Sequence, residues 1–129
     1  MGLPAAKKGD SIVGVDIHVE MVPPNSTPTP LPNPFSGTIS DGVSSDVKIM
    51  GQPAAIVGSI AKNNPPHIPK LGPFQKNPAN QGEINKGSST VKINGEQAAR
   101  AGDTAMTCND PEDLPNGVVI ATGTVFIGG

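Results

Sequence analysis

The sequence is poor in the residues that usually build a large hydrophobic core. It contains no Trp, no Tyr and only three Phe among 129 residues, and hydrophobic residues make up 35%. A chain with so few large apolar side chains usually needs a disulfide, a metal ion or a partner subunit for stability. The single cysteine, Cys108, excludes an internal disulfide. A bound metal or an assembly therefore becomes the leading explanation for stability.

Long charged and long apolar runs are also missing. The net charge is −2 with no basic cluster, which argues against nucleic acid and against an anionic membrane surface as partners. The first ten residues, MGLPAAKKGD, carry two lysines with no apolar segment after them, so we expect no signal peptide. These absences predict a protein made in the cytoplasm, with no membrane-spanning segment.

Glycine and proline are abundant, and they are arranged in a repeat. The 16 Gly and 15 Pro would by themselves suggest a disordered chain. However, DVKIMGQPAAIVGS at 46–59 aligns with TVKINGEQAARAGD at 90–103, giving the shared pattern VKIxGxxAAxxG followed by Ser or Asp. Repetition at a fixed pattern predicts an ordered repeat architecture.

A third copy of the repeat is divided between the two ends of the chain. The N-terminus has GLPAAKKGD, the second half of the phrase, and the C-terminus has TVFIGG, the first half. An Ile-x-x-Gly element precedes each copy, at 39–42, 84–87 and 120–123. We therefore expect a single all-β domain over residues 1–129, with adjacent, paired termini and three units closed into a ring.

The repeated positions predict a crowded axis. The pairs Ala5-Ala6, Ala54-Ala55 and Ala98-Ala99 suit a place where three segments converge and larger side chains would overpack. Gly9, Gly58 and Gly102 suit turns with positive φ, each followed by an Asp or Ser that bonds the turn. Within each VxI, both branched residues are expected to face the axis, and Lys48, Lys92 and Phe126 to face away.

Three connectors, at about 16–38, 61–82 and 104–117, separate the repeated phrases and are longer than ordinary loops. The first two are dense in proline, which favours an extended and stiff chain, and we expect them to be irregular. Pro34-Phe35 and Pro73-Phe74 are expected to pin the returning ends of these connectors to the core.

The three strongest soft or borderline metal ligands lie on different connectors: His18, His67 and Cys108. Threefold symmetry would bring them to one axial point, and nitrogen with thiolate ligands favours a structural zinc ion. Asp16, Asp110 or a water are the candidates for a fourth ligand. The alternatives are that the three residues are unrelated, or that Cys108 and a histidine form a nucleophilic pair, although no local motif lowers the cysteine pKa.

The phrases INGEQAARAGD, IMGQPAAIVGS and GLPAAKKGD resemble the PAAR-repeat family, named for its Pro-Ala-Ala-Arg motif. The motif stands here as PAAK at 4–7, PAAI at 53–56 and QAAR at 97–100, so no copy is perfect. The resemblance implies a small cone-shaped β domain with pseudo-threefold repeats, and it implies zinc held by His18, His67 and Cys108. The family often has one further histidine, which this sequence lacks.

The resemblance also implies a function. Such proteins form the tip of a trimeric VgrG-like spike in type VI secretion and related phage tail-like contractile injection particles, where they sharpen the spike for membrane puncture and effector delivery. This chain is expected to be a bare tip without a toxin extension, non-enzymatic, and expelled with its particle. The sequence alone leaves the two kinds of particle unseparated. A freestanding β-scaffold adhesin or binding module is the alternative, and a small metallohydrolase a more distant one.

Overall fold

The computed structural model describes residues 2–129, and strands and turns make up this part of the chain, without a helix. Its strands are β1 (Leu3–Pro4), β2 (Ser11–Val22), β3 (Thr27–Asp41), β4 (Lys48–Ile49), β5 (Gln52–Pro53), β6 (Ile60–Asn63), β7 (Gln81–Ile84), β8 (Lys92–Ile93), β9 (Glu96–Gln97), β10 (Thr104–Thr107), β11 (Leu114–Ile120) and β12 (Phe126–Ile127). No helix long and apolar enough to cross a membrane occurs among these described residues. The expected all-β class is confirmed.

The two ends of the chain meet in one small sheet. Strand β1 pairs antiparallel with β12, with Leu3 opposite Ile127 and Pro4 opposite Phe126. The same two-residue pairing joins β4 to β5 and β8 to β9. The divided third copy of the repeat is therefore completed by the termini, as predicted.

The alanine pairs form the crowded axis. A closed ring of backbone hydrogen bonds runs from the N–H of Ala6 to the carbonyl of Ala99 at 3.0 Å, from Ala99 to Ala55 at 3.1 Å, and from Ala55 back to Ala6 at 3.0 Å. All three side chains are fully buried. Because each backbone lies against the next, a side chain larger than Ala would have to displace a neighbouring chain segment.

The turn after each alanine pair follows the predicted chemistry. Gly9, Gly58 and Gly102 have φ of 98°, 101° and 89°, a region that favours glycine. The next residue accepts a hydrogen bond from the backbone three residues before it: Asp10 from Lys7 at 3.0 Å, Ser59 from Ile56 at 3.0 Å, and Asp103 from Arg100 at 2.7 Å. The three turns are thus equivalent in backbone form and differ in charge.

One prediction for the VxI segments is only half right. Ile49, Ile93 and Ile127 are buried in an apolar layer beside the alanine axis, as expected. Val47 and Val125, however, are 37% and 39% exposed. The strand pairing includes only the last two residues of each VxI, so the valine lies just before the ladder. Of the three valines, Val91 is partly buried and packs against the apolar layer.

Each connector contributes two neighbouring strands to a closed six-stranded barrel of order β10-β11-β2-β3-β6-β7. At its centre lie large branched or aromatic side chains that are buried, namely Ile12, Phe35, Ile39, Ile84 and Val119. The predicted pinning role of Phe35 is confirmed, because its side chain is only 2% exposed.

The third Ile-x-x-Gly element is displaced by one residue. The N–H groups of Ile39, Ile84 and Val119 make equivalent backbone hydrogen bonds to the residues after the turn glycines. Val119 is fully buried, whereas Ile120 is 48% exposed. The prediction that Ile120 matches the other two isoleucines is therefore wrong, because one extra residue separates the buried position from Gly123.

The first connector is regular, contrary to expectation. Strands β2 and β3 form one long hairpin paired from Ser11↔Thr38 to Val22↔Thr27. Prolines occupy alternate positions of β3 at 28, 30, 32 and 34, opposite β2 residues whose N–H groups point away from β3. A strand position that makes no ladder hydrogen bond tolerates proline. The second connector fulfils the expectation over residues 64–80, which have little regular structure.

Candidate metal centre

Strand β2 buries its polar residues and leaves its apolar ones nearer the surface. Asp16 and His18 are 0% and 1% exposed, whereas Val15 is 53% exposed and Ile17 is partly exposed. Alternating Val-Asp-Ile-His would ordinarily place the apolar residues inside. Beyond the apolar barrel core, the inward face is therefore built for polar chemistry.

Four possible ligands converge on this polar interior. The ligand atoms of Asp16, His18, His67 and Cys108 all lie within 4.8 Å of one another. Asp16 and His18 come from β2, His67 from the irregular part of the second connector, and Cys108 follows β10 directly. The structure thus brings together the three residues predicted from sequence and Asp16, one of the candidates for the fourth ligand.

The side chains of Asp16, His18, His67 and Cys108 are called the metal cluster below, and their contacts centre on Asp16. Its Oδ2 lies 2.8 Å from His67 Nε2 and 3.4 Å from Cys108 Sγ. The rings of His18 and His67 are tilted, with centroids 5.0 Å apart. Burial first, and then the nearby Asp16 charge, raise the pKa of the Cys108 thiol to about 11. A thiol with this pKa is a poor nucleophile at neutral pH, which argues against the Cys-His catalytic alternative.

Two asparagine amides hold the histidine segment in place. Asn63 accepts a hydrogen bond from the N–H of Ser36 at 2.9 Å, and Asn80 accepts one from the N–H of His67 at 2.8 Å. The Asn63 amide nitrogen lies 3.2 Å from His67 Nδ1. Because backbone donors fix both amides, the His67 ring is oriented with Nε2 toward Asp16.

The unsatisfied atoms test whether a metal fits. Asp16 Oδ1 and both ring nitrogens of His18 are buried and have no hydrogen-bond partner among the described residues, and the same holds for Oε2 of Glu20, which is outside the cluster. Buried polar atoms without partners are unfavourable unless something else binds them. Two imidazoles, a thiolate and a carboxylate are ligands that zinc accepts in tetrahedral sites, so the residues fit such an ion.

The structure distinguishes the two carboxylates considered for the fourth position. Asp110 lies outside the cluster of four: its Oδ2 accepts a hydrogen bond from the Val19 N–H at 2.8 Å, and its Oδ1 lies 3.6 Å from His18 Nδ1. Asp16 points into the cluster. The geometry therefore favours Asp16 over Asp110 as the fourth ligand.

Two residues, Asn109 and Phe74, support the site in ways that were not predicted from the sequence. Asn109 accepts a hydrogen bond from the Ile17 N–H at 2.7 Å and so ties the segment after Cys108 to β2. Phe74, predicted to pin its connector to the core, packs edge-on to the His18 ring at a centroid distance of 5.8 Å. Such amides carry no sequence signal of their own, since asparagine is equally common in turns.

One comparison with known proteins gives a match. A family model described as "PAAR motif" matches residues 75–129, a segment that contains Cys108, the QAAR phrase and strands β7 to β12. No curated protein and no solved structure matches the chain.

Proposed function

We propose that this chain is a PAAR-repeat protein, as the match over residues 75–129 supports, and that it is a structural tip that caps a trimeric VgrG-like spike of a contractile injection system. The PAAR motif is associated with spike tips in type VI secretion, and proteins of this family are structural rather than enzymatic. We also propose that this chain takes part in membrane puncture and effector delivery.

The ring of hydrogen bonds through Ala6, Ala55 and Ala99 is the observation that carries the proposal. It places three equivalent segments of one chain around an axis, although the sequence differs from one segment to the next. A trimeric partner presents three identical surfaces around its own axis. One copy of this chain can therefore contact three partner subunits in equivalent ways.

The proposed docking face lies at the end of the molecule that carries the three two-residue hairpins. Lys48, Lys92 and Phe126 occupy equivalent positions there, and all three side chains are exposed. Phe126 is 59% exposed, an unusual state for one of only three phenylalanines. Exposed aromatic residues are often the main energetic contributors to a protein interface.

The end of the molecule opposite the proposed docking face contains fewer strands and is narrower. Strands β6, β7 and β10 have four residues each, whereas the β2–β3 hairpin continues to the turn at residues 23–26. The structure thus passes from six strands to one hairpin flanked by the second connector. We propose that this narrow end leads when the particle contracts, and that the alternating prolines of β3 stiffen it.

We propose that zinc occupies the cluster of Asp16, His18, His67 and Cys108. A bound ion would cross-link the three connectors at the level where the apolar core ends. Its role is then structural, because the residues come from segments far apart in the chain and all four side chains are almost fully buried.

Docking is tested by co-expressing the chain with the trimeric spike protein of its own particle. Native mass spectrometry is expected to show one copy bound to three spike chains. Phe126→Asp should weaken the complex at least tenfold, whereas Leu71→Asp, an equally exposed position at the narrow end, should not. A complex of any other stoichiometry, or equal effects of both variants, would contradict the proposal.

The metal is tested separately by elemental analysis of purified protein. We expect about one zinc per chain, and loss of that zinc in His67→Ala. The same variant should melt at a lower temperature yet still bind the spike, because His67 lies away from the docking face. Unchanged metal content in His67→Ala would reject the site.

A further inference from the structure

A fully buried acidic side chain, Glu20, lies next to the metal cluster without belonging to it. Glu20 follows Asp16 and His18 on the inward face of β2 and is 0% exposed. It is not one of the four residues whose ligand atoms converge. A buried carboxylate outside this cluster needs another explanation for its position.

The contacts of Glu20 are with the backbone of the second connector. Its Oε1 accepts hydrogen bonds from the N–H groups of Lys70 at 2.9 Å, Leu71 at 2.7 Å and Gly72 at 3.2 Å. Three successive backbone N–H groups therefore converge on one oxygen of Glu20 and form a nest around it. Its other oxygen, Oε2, is buried and has no hydrogen-bond partner among the described residues.

Residues 70–75, which we call the strap, lie along the open edge of β2. The N–H of Met21 donates to the carbonyl of Pro73 at 2.8 Å, and the N–H of Gln75 donates to the carbonyl of Val19 at 2.9 Å. At Gly72 a Cβ atom would lie only 2.0 Å from the Met21 carbonyl oxygen. The strap can approach β2 this closely only because residue 72 is glycine.

The strap also covers the metal cluster. It carries Phe74, whose ring packs on His18, and it begins three residues after His67. At the other end of the same irregular segment, Asn80 accepts hydrogen bonds from the His67 N–H and from Asn63. One end is thus tied by an amide, and the part over the cluster is tied by Glu20.

We propose that Glu20 is a positioning residue that latches the strap over the metal cluster and so slows release of the ion. This inference rests on the proposed metal site. Opening the strap removes Phe74 from His18 and frees the segment that carries His67, so a chelator gains access to the ion. The ligands themselves are unchanged by the loss of Glu20.

The test uses the zinc-loaded full chain and two variants, Glu20→Ala and Glu20→Gln. Glutamine keeps one acceptor oxygen for the strap but lacks the charge, so it should fall between alanine and wild type. Zinc transfer to excess chelator should be at least about tenfold faster in Glu20→Ala, since each charge-assisted hydrogen bond lost corresponds to roughly a factor of ten or more. Hydrogen exchange at the amides of residues 70–72 should accelerate by a similar factor.

Two matched controls separate latching from general loss of stability. Ile93→Ala removes a buried side chain from the layer beside the docking face and should lower the melting temperature without speeding zinc release. Glu96→Ala removes an exposed carboxylate from β9 and should change neither quantity. Cobalt-substituted Glu20→Ala should keep the absorption spectrum of wild type, because the ligand set is the same.

The outcomes are distinguishable. If exchange at residues 70–72 and zinc release in Glu20→Ala stay within twofold of wild type, the latch is refuted. The same conclusion follows if Ile93→Ala speeds zinc release as much as Glu20→Ala does. If the wild-type chain binds no zinc, the proposed metal site is refuted, and control of ion release by Glu20 is refuted with it. If hydrogen exchange at residues 70–72 is also unchanged in Glu20→Ala, the role of Glu20 in holding the strap is refuted as well.

Discussion

Replacing Ile84 by alanine tests the inner layer of the barrel. The side chain of Ile84 is fully buried at the centre of the main apolar cluster. Val119 occupies the equivalent position in the third repeat and is also fully buried, whereas its neighbour Ile120 is 48% exposed. Alanine substitutions at these three positions therefore test both the packing and the displaced register.

The expected losses follow from the carbon atoms removed. Ile84→Ala deletes three buried carbons and should lower the free energy of unfolding by about 2.5–5 kcal/mol, including the cavity left behind. Val119→Ala deletes two and should lower it by roughly 2–3 kcal/mol on the same basis. Ile120→Ala removes atoms that are largely in water already and should lower it by less than about 1 kcal/mol.

The assay is urea unfolding followed by far-ultraviolet circular dichroism, since the chain has no Trp or Tyr to report by fluorescence. Measuring in excess chelator removes any contribution from metal. For a chain of this size the melting temperature of Ile84→Ala should fall by roughly 10 °C or more. A larger loss from Ile120→Ala than from Val119→Ala would refute the assignment of Val119 to the inward face of β11.

Three further predictions concern charged groups. Folding raises the pKa of the Cys108 thiol from 9.0 to about 11. The free energy of unfolding of the metal-free protein should therefore be unaffected by this group below pH 9 and should fall by on the order of 2 kcal/mol by pH 11. Urea unfolding of Cys108→Ser should not show that fall. Asp103→Ala leaves the buried Arg100 without its carboxylate partner and should lower the free energy of unfolding by about 3–5 kcal/mol in the same assay. Asp10→Ala breaks the equivalent but more exposed pair with Lys7 and should lower it by about 1 kcal/mol, so equal losses would contradict the structure. Asp16→Ala should remove zinc in elemental analysis, whereas Asp110→Ala should retain it after dialysis; the reverse result would reassign the fourth ligand.

The repeat made the symmetric part of the structure predictable. Short phrases recurring three times fixed which residues are equivalent, so the buried alanines, the positive-φ glycines and the paired termini could all be inferred. The same equivalence brought His18, His67 and Cys108 to one place. Symmetry substitutes here for the long-range information that a single sequence otherwise lacks.

Register inside a repeat was less predictable. Ile120 fits the Ile-x-x-Gly pattern, but a single extra residue moves Val119 into the core instead. In a strand, a displacement by one residue exchanges the inward and outward faces. A pattern based on spacing alone cannot detect such an exchange when both neighbours are branched and apolar.

The first connector shows how a correct local rule can mislead. Proline removes a backbone donor, and four prolines between residues 28 and 34 argue against a strand. They recur at every second position, however, and those positions make no ladder hydrogen bond to β2. On β2, the inverted burial of Asp16, His18 and Glu20 was equally hidden, because alternation indicates two faces without saying which one is inside.

The proline edge of β3 has a further consequence for a molecule with an exposed hairpin. A free strand edge ordinarily offers N–H groups on which another chain can add a strand. Along residues 28–34 the outward positions of β3 are prolines, so they offer carbonyl oxygens but no donors. Other copies of this protein, or unfolded or β-rich proteins that come into contact with this edge, should therefore not add a strand to it.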